Sequence, residues 1–89
     1  MNFIAIIGVT GKIETIKSQD YCAVTVKVEK PFVESNEEDW YDIVKIKIDK
    51  QLFKNELNLM STGSIIGVKG RIKNESNNMQ LVAERVQVF

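Results

Sequence analysis

Residues 39–49 read "DWYDIVKIKID": Trp40 and Tyr41 lead into Val44, Ile46 and Ile48, which alternate with Lys45 and Lys47. In an extended strand alternate side chains share a face, so the two lysines stand roughly 7 Å apart on one side and the aliphatics on the other. Lysine is almost never buried without a partner, which assigns Val44, Ile46 and Ile48 to a core and Tyr41, Ile43, Lys45 and Lys47 to an open face. Spaced ammonium groups beside flat aromatic surfaces form a binding chemistry: the cations attract a polyanion and the rings stack on planar groups. A second basic alternation, Lys69, Arg71 and Lys73 against Ile66, Val68, Gly70 and Ile72, repeats the cationic half of the pattern.

Bond-making chemistry has little to draw on. There is no histidine, the lone Cys22 sits in the apolar run "YCAVTVKV", and Glu37, Glu38 and Asp39 are successive loop carboxylates without metal-ligand spacing. No phosphate-cradling glycine loop or dinucleotide fingerprint occurs. The reading is a non-enzyme with no cofactor and no metal. Cys22 reads as a small buried hydrophobe.

The 89 residues form one domain with one modest core, and 44% apolar with 27% charged content suits a folded globular protein. The apolar run around Ile4–Ile7 is too short to cross a bilayer, and the N-terminus lacks the pattern of a secretion signal, so a cytoplasmic protein without a membrane partner is expected. Net charge is zero, but it is unevenly spread. Residues 43–73 carry seven cations against two carboxylates, a net +5, and residues 29–42 carry one cation against six carboxylates, a net −5.

The elements that must position these groups follow from periodicity. Residues 2–17 are β-branched and interrupted by Gly8 and Gly11, as in a long strand that bends or bulges part-way. Cys22, Val24, Val26 and Val28 alternate with Ala23, Thr25, Lys27 and Glu29, a half-buried strand ended by Pro31. An acidic loop, "PFVESNEED", precedes the strand through Ile48. Leu52, Phe53, Glu56, Leu57 and Met60 have helical spacing, which predicts one short helix over roughly 50–60, with Gly63 of "STG" as its C-cap. "SIIGVKGRIK" and "MQLVAERVQVF" are two further strands around the tight polar loop "NESNN". Five strands, a helix between the third and fourth, and a first strand long enough for two sheets give the order of the OB-fold, an all-β, five-stranded antiparallel Greek-key barrel.

Four stretches add a resemblance. "MNFIAIIGVTGKIE", "DWYDIVKIKI", "MSTGSIIGVKGRI" and "LVAERVQVF" resemble, in order and over nearly the whole chain, the OB domain of bacterial single-stranded DNA-binding proteins, and more distantly the primosomal replication protein of the n/PriB type. The resemblance implies single-stranded DNA laid over the barrel with bases stacked on aromatics. It also implies a homo-oligomer, either a dimer or a tetramer, and roles in DNA replication, repair and recombination, with replication proteins as a candidate partner class. Aligning Trp40 with that family's tryptophan would instead place Trp40, Asp42, Val44, Ile46 and Ile48 on the DNA face and bury both lysines, the poorer register physically. The family's flexible, acidic-tipped tail has no counterpart, so the OB domain is expected to fill residues 1–89 with recruitment by that route absent. The loop "KNESNNMQ" is shorter than its family counterpart and has no aromatic, and the acidic loop would repel a nearby phosphate backbone.

The leading reading is thus a minimal protein that binds single-stranded DNA without sequence specificity through Phe32, Trp40, Tyr41, Lys45, Lys47, Lys69, Arg71 and Lys73, with strand three beside strand four. Each aromatic stack would contribute ~1–3 kcal/mol. The alternative is an OB-fold protein-interaction module of a primosome or mobile element, with weak or no DNA binding, for which Glu37, Glu38 and Asp39 form a docking loop. Alternating lysines can also be a merely solvated face. Trp40 remains open between a core or subunit-contact residue and a base platform. Phe89 is a core or subunit-contact residue, and the strand-one residues near Asn2–Ile6 are a candidate subunit contact.

Overall fold

The computed structural model describes residues 2–30 and 40–89. Five strands, β1 (Ile4–Thr15), β2 (Tyr21–Glu29), β3 (Tyr41–Asp49), β4 (Ile65–Glu75) and β5 (Asn78–Val88), close into a barrel in the order β1-β2-β3-β5-β4, with α1 (Lys54–Leu59) between β3 and β4. Four strand pairs are antiparallel, and the β3–β5 pair that completes the barrel is parallel, through Ile46 with Leu81 and Lys47 with Val82. This is the OB-fold the residue pattern predicts.

Strand β1 serves two neighbours in turn. Ile4–Val9 pair with β4, Val9–Thr15 pair with β2, and the register shifts between Thr10 and Ile13. Gly8 lies at the changeover, where a Cβ would run into the Lys27 carbonyl oxygen and stand 2.7 Å from Val26 Cγ1. Only glycine permits that approach. Next to it the Thr10 side chain is buried, and its hydroxyl donates to the Ser61 carbonyl. Backbone bonds from Thr10 N to Ser64 O (2.8 Å) and from Gly63 N to Thr10 O (2.8 Å) complete the attachment of the helix-to-β4 loop.

The interior is filled from alternate positions. Val24, Val26, Ile46, Ile48 and Ile66 are fully buried, joined by Cys22, Val68 and Ala83. Phe53 and Met60, which flank α1, seal one end of the barrel, and Leu57 packs against them. Cys22 is buried as its apolar run predicts, and of the residues at helical spacing Phe53, Leu57 and Met60 face the barrel whereas Leu52 is exposed.

The helix is shorter than its periodicity implies, because the Asp49 carboxylate accepts the backbone N–H groups of Gln51 and Leu52, both at 2.9 Å. That side-chain turn holds residues 50–52 out of the helix. The helix closes at Met60, in extended conformation, and Gly63 at φ +95° serves the following turn instead of a C-cap. The β4–β5 loop is tighter than "NESNN" suggests. Only Ser76 and Asn77 form it, at φ 50° and 66°, so Glu75 and Asn78 are already paired strand residues. Two successive left-handed residues make the turn whose twist matches a β-hairpin.

Candidate nucleic-acid interface

The outer face of the β2–β3 ribbon is set by the same alternation that fills the core. Cross-strand partners on it are Tyr21 with Asp49, Ala23 with Lys47, Thr25 with Lys45, Lys27 with Ile43 and Glu29 with Tyr41. The lysines of β3 therefore face outward, and the register that would bury them is excluded by the complete burial of Ile46 and Ile48. Tyr41 and Ile43 are exposed on this face, and Trp40, 63% exposed, stands at its end. Within the chain Trp40 is not a core residue.

Two diagonal lysine–tyrosine pairs occupy the ribbon. Lys47 Nζ lies 4.2 Å from the ring centroid of Tyr21, and Lys27 Nζ lies 5.1 Å from that of Tyr41. Both are within the range of attraction between a cation and an aromatic quadrupole. The two tyrosines sit eight residues apart along β2–β3, roughly 27 Å at the rise of an antiparallel strand. One face thus presents rings at both ends and cations along its length.

At the Tyr21 end the face deepens into a groove of about 450 Å³. Its floor is Tyr21, Ala23, Lys45 and Lys47, with Glu14 and Ile16 at the β1 end and Asn78–Leu81 of the β4–β5 hairpin on the other side. The β2–β3 face between the first and last loops is where OB barrels take extended ligands. Carboxylates stand near these lysines, Glu14 in the groove lining and Glu75 on Lys47 from the end of β4. Glu75 Oε2 is 3.1 Å from Lys47 Nζ, and Glu14 Oε1 is 3.0 Å from Lys12 Nζ. The Lys12 hydrogen bond and charge, with Lys45 adding to them, hold the Glu14 carboxyl below its ordinary range, and Lys47 does the same to Glu75.

The second basic set is not where the sequence reading put it. Strand β5 lies between β3 and β4, so Lys69, Arg71 and Lys73 do not stand beside Lys45 and Lys47. Arg71 pairs with Val82, which pairs in turn with Lys47, so Arg71 lies two strands over on the same outer row, roughly 10 Å away. Lys73 pairs with Gln80 on the hairpin side of the groove. Lys69 pairs with Ala5 and with Arg85, beyond the register shift in β4–β5, and lines a different groove with Ile7, Gly67 and Phe89. The parallel β3–β5 closure that separates the two basic sets leaves no local trace in the sequence. Phe32, Glu37, Glu38 and Asp39 lie outside the described residues.

Tyr21, Lys27, Ile16 and Met79 are groove or face residues that the sequence reading passed over. Tyr21 was legible: extending the β2 alternation back one step from Ala23 puts it on the face of Lys27. Met79 required knowing that the hairpin turn is only two residues long.

A second outward face carries exposed apolar side chains beside Lys69 and Arg85. Phe3 just before β1, Ile7 and Val9 on β1, Ile65 on β4 and Phe89 just after β5 are exposed, and the Phe89 ring lies over Gly67. Phe89 is therefore not a core residue. Asn2 is tied to β4, donating to the Ile72 carbonyl and accepting from Ile72 N at 2.9 Å.

No family model matches the sequence, and no curated protein matches it significantly. Solved structures do. The architecture is shared with a small single-stranded DNA-binding protein from Mycoplasma pneumoniae, at TM-score 0.73 and 16% identity over 98% of this chain and 92% of that one. The dimeric N-terminal domain of PriB from Thermoanaerobacter tencongensis matches at TM-score 0.71 and 17% identity, over 99% and 96%. A chain of the Schizosaccharomyces pombe Stn1-Ten1 complex matches at TM-score 0.70 and 16% identity over the whole of this chain, which spans 59% of that one. The fold is that of the OB barrel. Among the described residues no helix is long and apolar enough to cross a membrane, and no cluster of three or more acidic or cysteine side chains is placed to hold a metal ion.

Proposed function

We propose that the chain, one OB domain over residues 1–89, is a binding protein for single-stranded DNA that holds the strand on its β2–β3 face without reading sequence. The supporting observation is the pairing of Lys47 with Tyr21 and of Lys27 with Tyr41 on one open face of the barrel, with Lys45 between them. A groove of this kind needs cations along the phosphate path and π-surfaces for bases, with no requirement for base-edge donors. Trp40 and Tyr41 are base platforms at one end and Tyr21 at the other, and Lys45 and Lys47 take phosphates. Arg71 and Lys73 extend the path over β5, and Lys69 stands apart from it. The naming of the Mycoplasma protein as a single-stranded DNA-binding protein supports the same reading. The chain acts by binding and not by catalysis, in replication, repair or recombination in the cytoplasm.

The apolar face of Phe3, Ile7, Val9, Ile65 and Phe89 supports a homo-oligomer. Among the described residues, those of β1 before Val9 have pairing partners on β4 alone, so this strand can also offer backbone groups to a second copy. The reading as a protein-interaction module, which the zero net charge favours and in which residues 37–39 would dock a partner, gains no support from the described residues.

Titration of Trp40 fluorescence with oligo(dT) at two salt concentrations tests the proposal. Stacking quenches the tryptophan, and phosphate contacts make affinity fall as salt rises. Absence of any binding at low salt would refute it.

A further inference from the structure

Lys45 and Lys47 differ in a way their sequence spacing does not suggest. Lys45 makes no salt bridge among the described residues, whereas the Lys47 ammonium is held twice, by Glu75 Oε2 at 3.1 Å and over the Tyr21 ring at 4.2 Å. The Lys47 side chain is accordingly only 23% exposed although it points out of the barrel. Glu75 is not a loosely placed partner. It is the last residue of β4, paired with Asn78 across a two-residue turn whose left-handed backbone leaves little freedom of position. The hairpin thus delivers one carboxylate to the rim of the groove, at the ammonium that lies over a candidate base platform.

We infer that Glu75 is a built-in competitor for DNA phosphate: it keeps Lys47 over the Tyr21 ring in the empty groove, and an arriving strand moves the ammonium from carboxylate to phosphate and uncovers the ring for a base. The inference rests on the proposed binding of single-stranded DNA. A carboxylate and a phosphate diester offer lysine the same interaction, a singly charged oxygen acceptor, so the exchange alters neither the charge at Lys47 nor the barrel. The lysine stem is flexible and the pair is partly exposed, so the swap needs side-chain rotation alone. Glu75, like any exposed carboxyl, is ionised at neutral pH, and the Lys47 hydrogen bond lowers its pKa further. Affinity in the groove is therefore set below what its lysines could reach, and Lys45 makes the first phosphate contact.

A double-mutant cycle tests this with oligo(dT) as the probe, comparing the wild type, Glu75→Gln, Lys47→Gln and the double variant at low salt. Glu75→Gln should tighten binding roughly three- to fivefold, the range that losing an exposed ion-pair competitor allows. Its salt slope should match wild type, since the number of phosphates neutralised is the same. In the Lys47→Gln background the gain should vanish. Glu75→Ala should agree in sign with Glu75→Gln, and unfolding curves establish that each variant is folded. An equal gain in both backgrounds would make Glu75 a general repulsive charge and overturn the inference, as would unchanged or weaker binding by Glu75→Gln. If the wild type does not bind oligo(dT), the function itself fails. Wild-type binding with a silent Glu75 removes only the competitor.

Discussion

Lys27 on β2 holds its ammonium 5.1 Å above the ring of Tyr41 on β3, one residue from the exposed Trp40. The open end of the ribbon thus joins a cation to two aromatic surfaces before any ligand is present. A base stacked here would contribute through its π-face, so Tyr41→Ala should weaken oligo(dT) binding by about 1–3 kcal/mol. The slope of log affinity against log salt should stay the same, because a lost stack releases no counterions. Anisotropy of a labelled oligonucleotide measures both, and serves Trp40→Ala as well, for which the same pattern is expected.

Lysine loss should differ in kind. Lys45→Ala is expected to weaken binding to all sequences about equally and make the salt slope shallower by roughly 0.7, the value for one phosphate on a single strand. The barrel should remain folded, since an exposed strand lysine contributes little to stability. A slope equal to wild type in the same salt series would place the phosphates elsewhere.

The apolar face makes a prediction about assembly. Ile7→Glu, or Phe89→Glu, puts a charge into the patch that also contains Phe3, Val9 and Ile65. Sedimentation at micromolar concentration should show the wild type as an oligomer and the variants shifted toward monomer. A wild type that is monomeric under those conditions would count against the oligomer.

Acid should erode stability through Glu14 and Glu75. Both carboxyls are held below their ordinary value of 4.5 in the folded chain, Glu14 first by the Lys12 hydrogen bond and Glu75 first by that of Lys47. A lowered folded-state value means the contribution is present above pH 4.5 and lost as pH falls through that lowered value. Thermal midpoints of the wild type should therefore drop more between pH 5 and 3 than those of a Glu14→Gln, Glu75→Gln double variant. Parallel curves would show that the two pairs carry no linkage.

The legible part of this molecule is what local physics dictates. The inward set Val44, Ile46 and Ile48 followed from the cost of burying Lys45 and Lys47, and the β2 alternation named Cys22, Val24 and Val26 as core. Gly8 and Gly11 marked the bend of β1. What stayed hidden depends on distant parts of the chain or on a single side chain. The separation of Lys69 from Lys45 comes from β5 closing in parallel on β3. The late start of α1 comes from the Asp49 carboxylate taking two backbone N–H groups. The placement of Glu75 against Lys47 needs the exact register of a two-residue hairpin turn, which a polar run such as "NESNN" leaves undetermined.

Mapping of backbone amide shifts in a labelled sample during titration with oligo(dT) tests the β2–β3 assignment most directly. Perturbations should concentrate at Tyr21, Ala23, Thr25, Lys27, Trp40, Tyr41, Lys45, Lys47 and Met79, with smaller ones at Arg71 and Lys73 and little change at Ile7, Gly67 and Gln87. Shifts confined to the Ile7, Gly67 and Gln87 wall, or none at saturating oligonucleotide, would contradict the account.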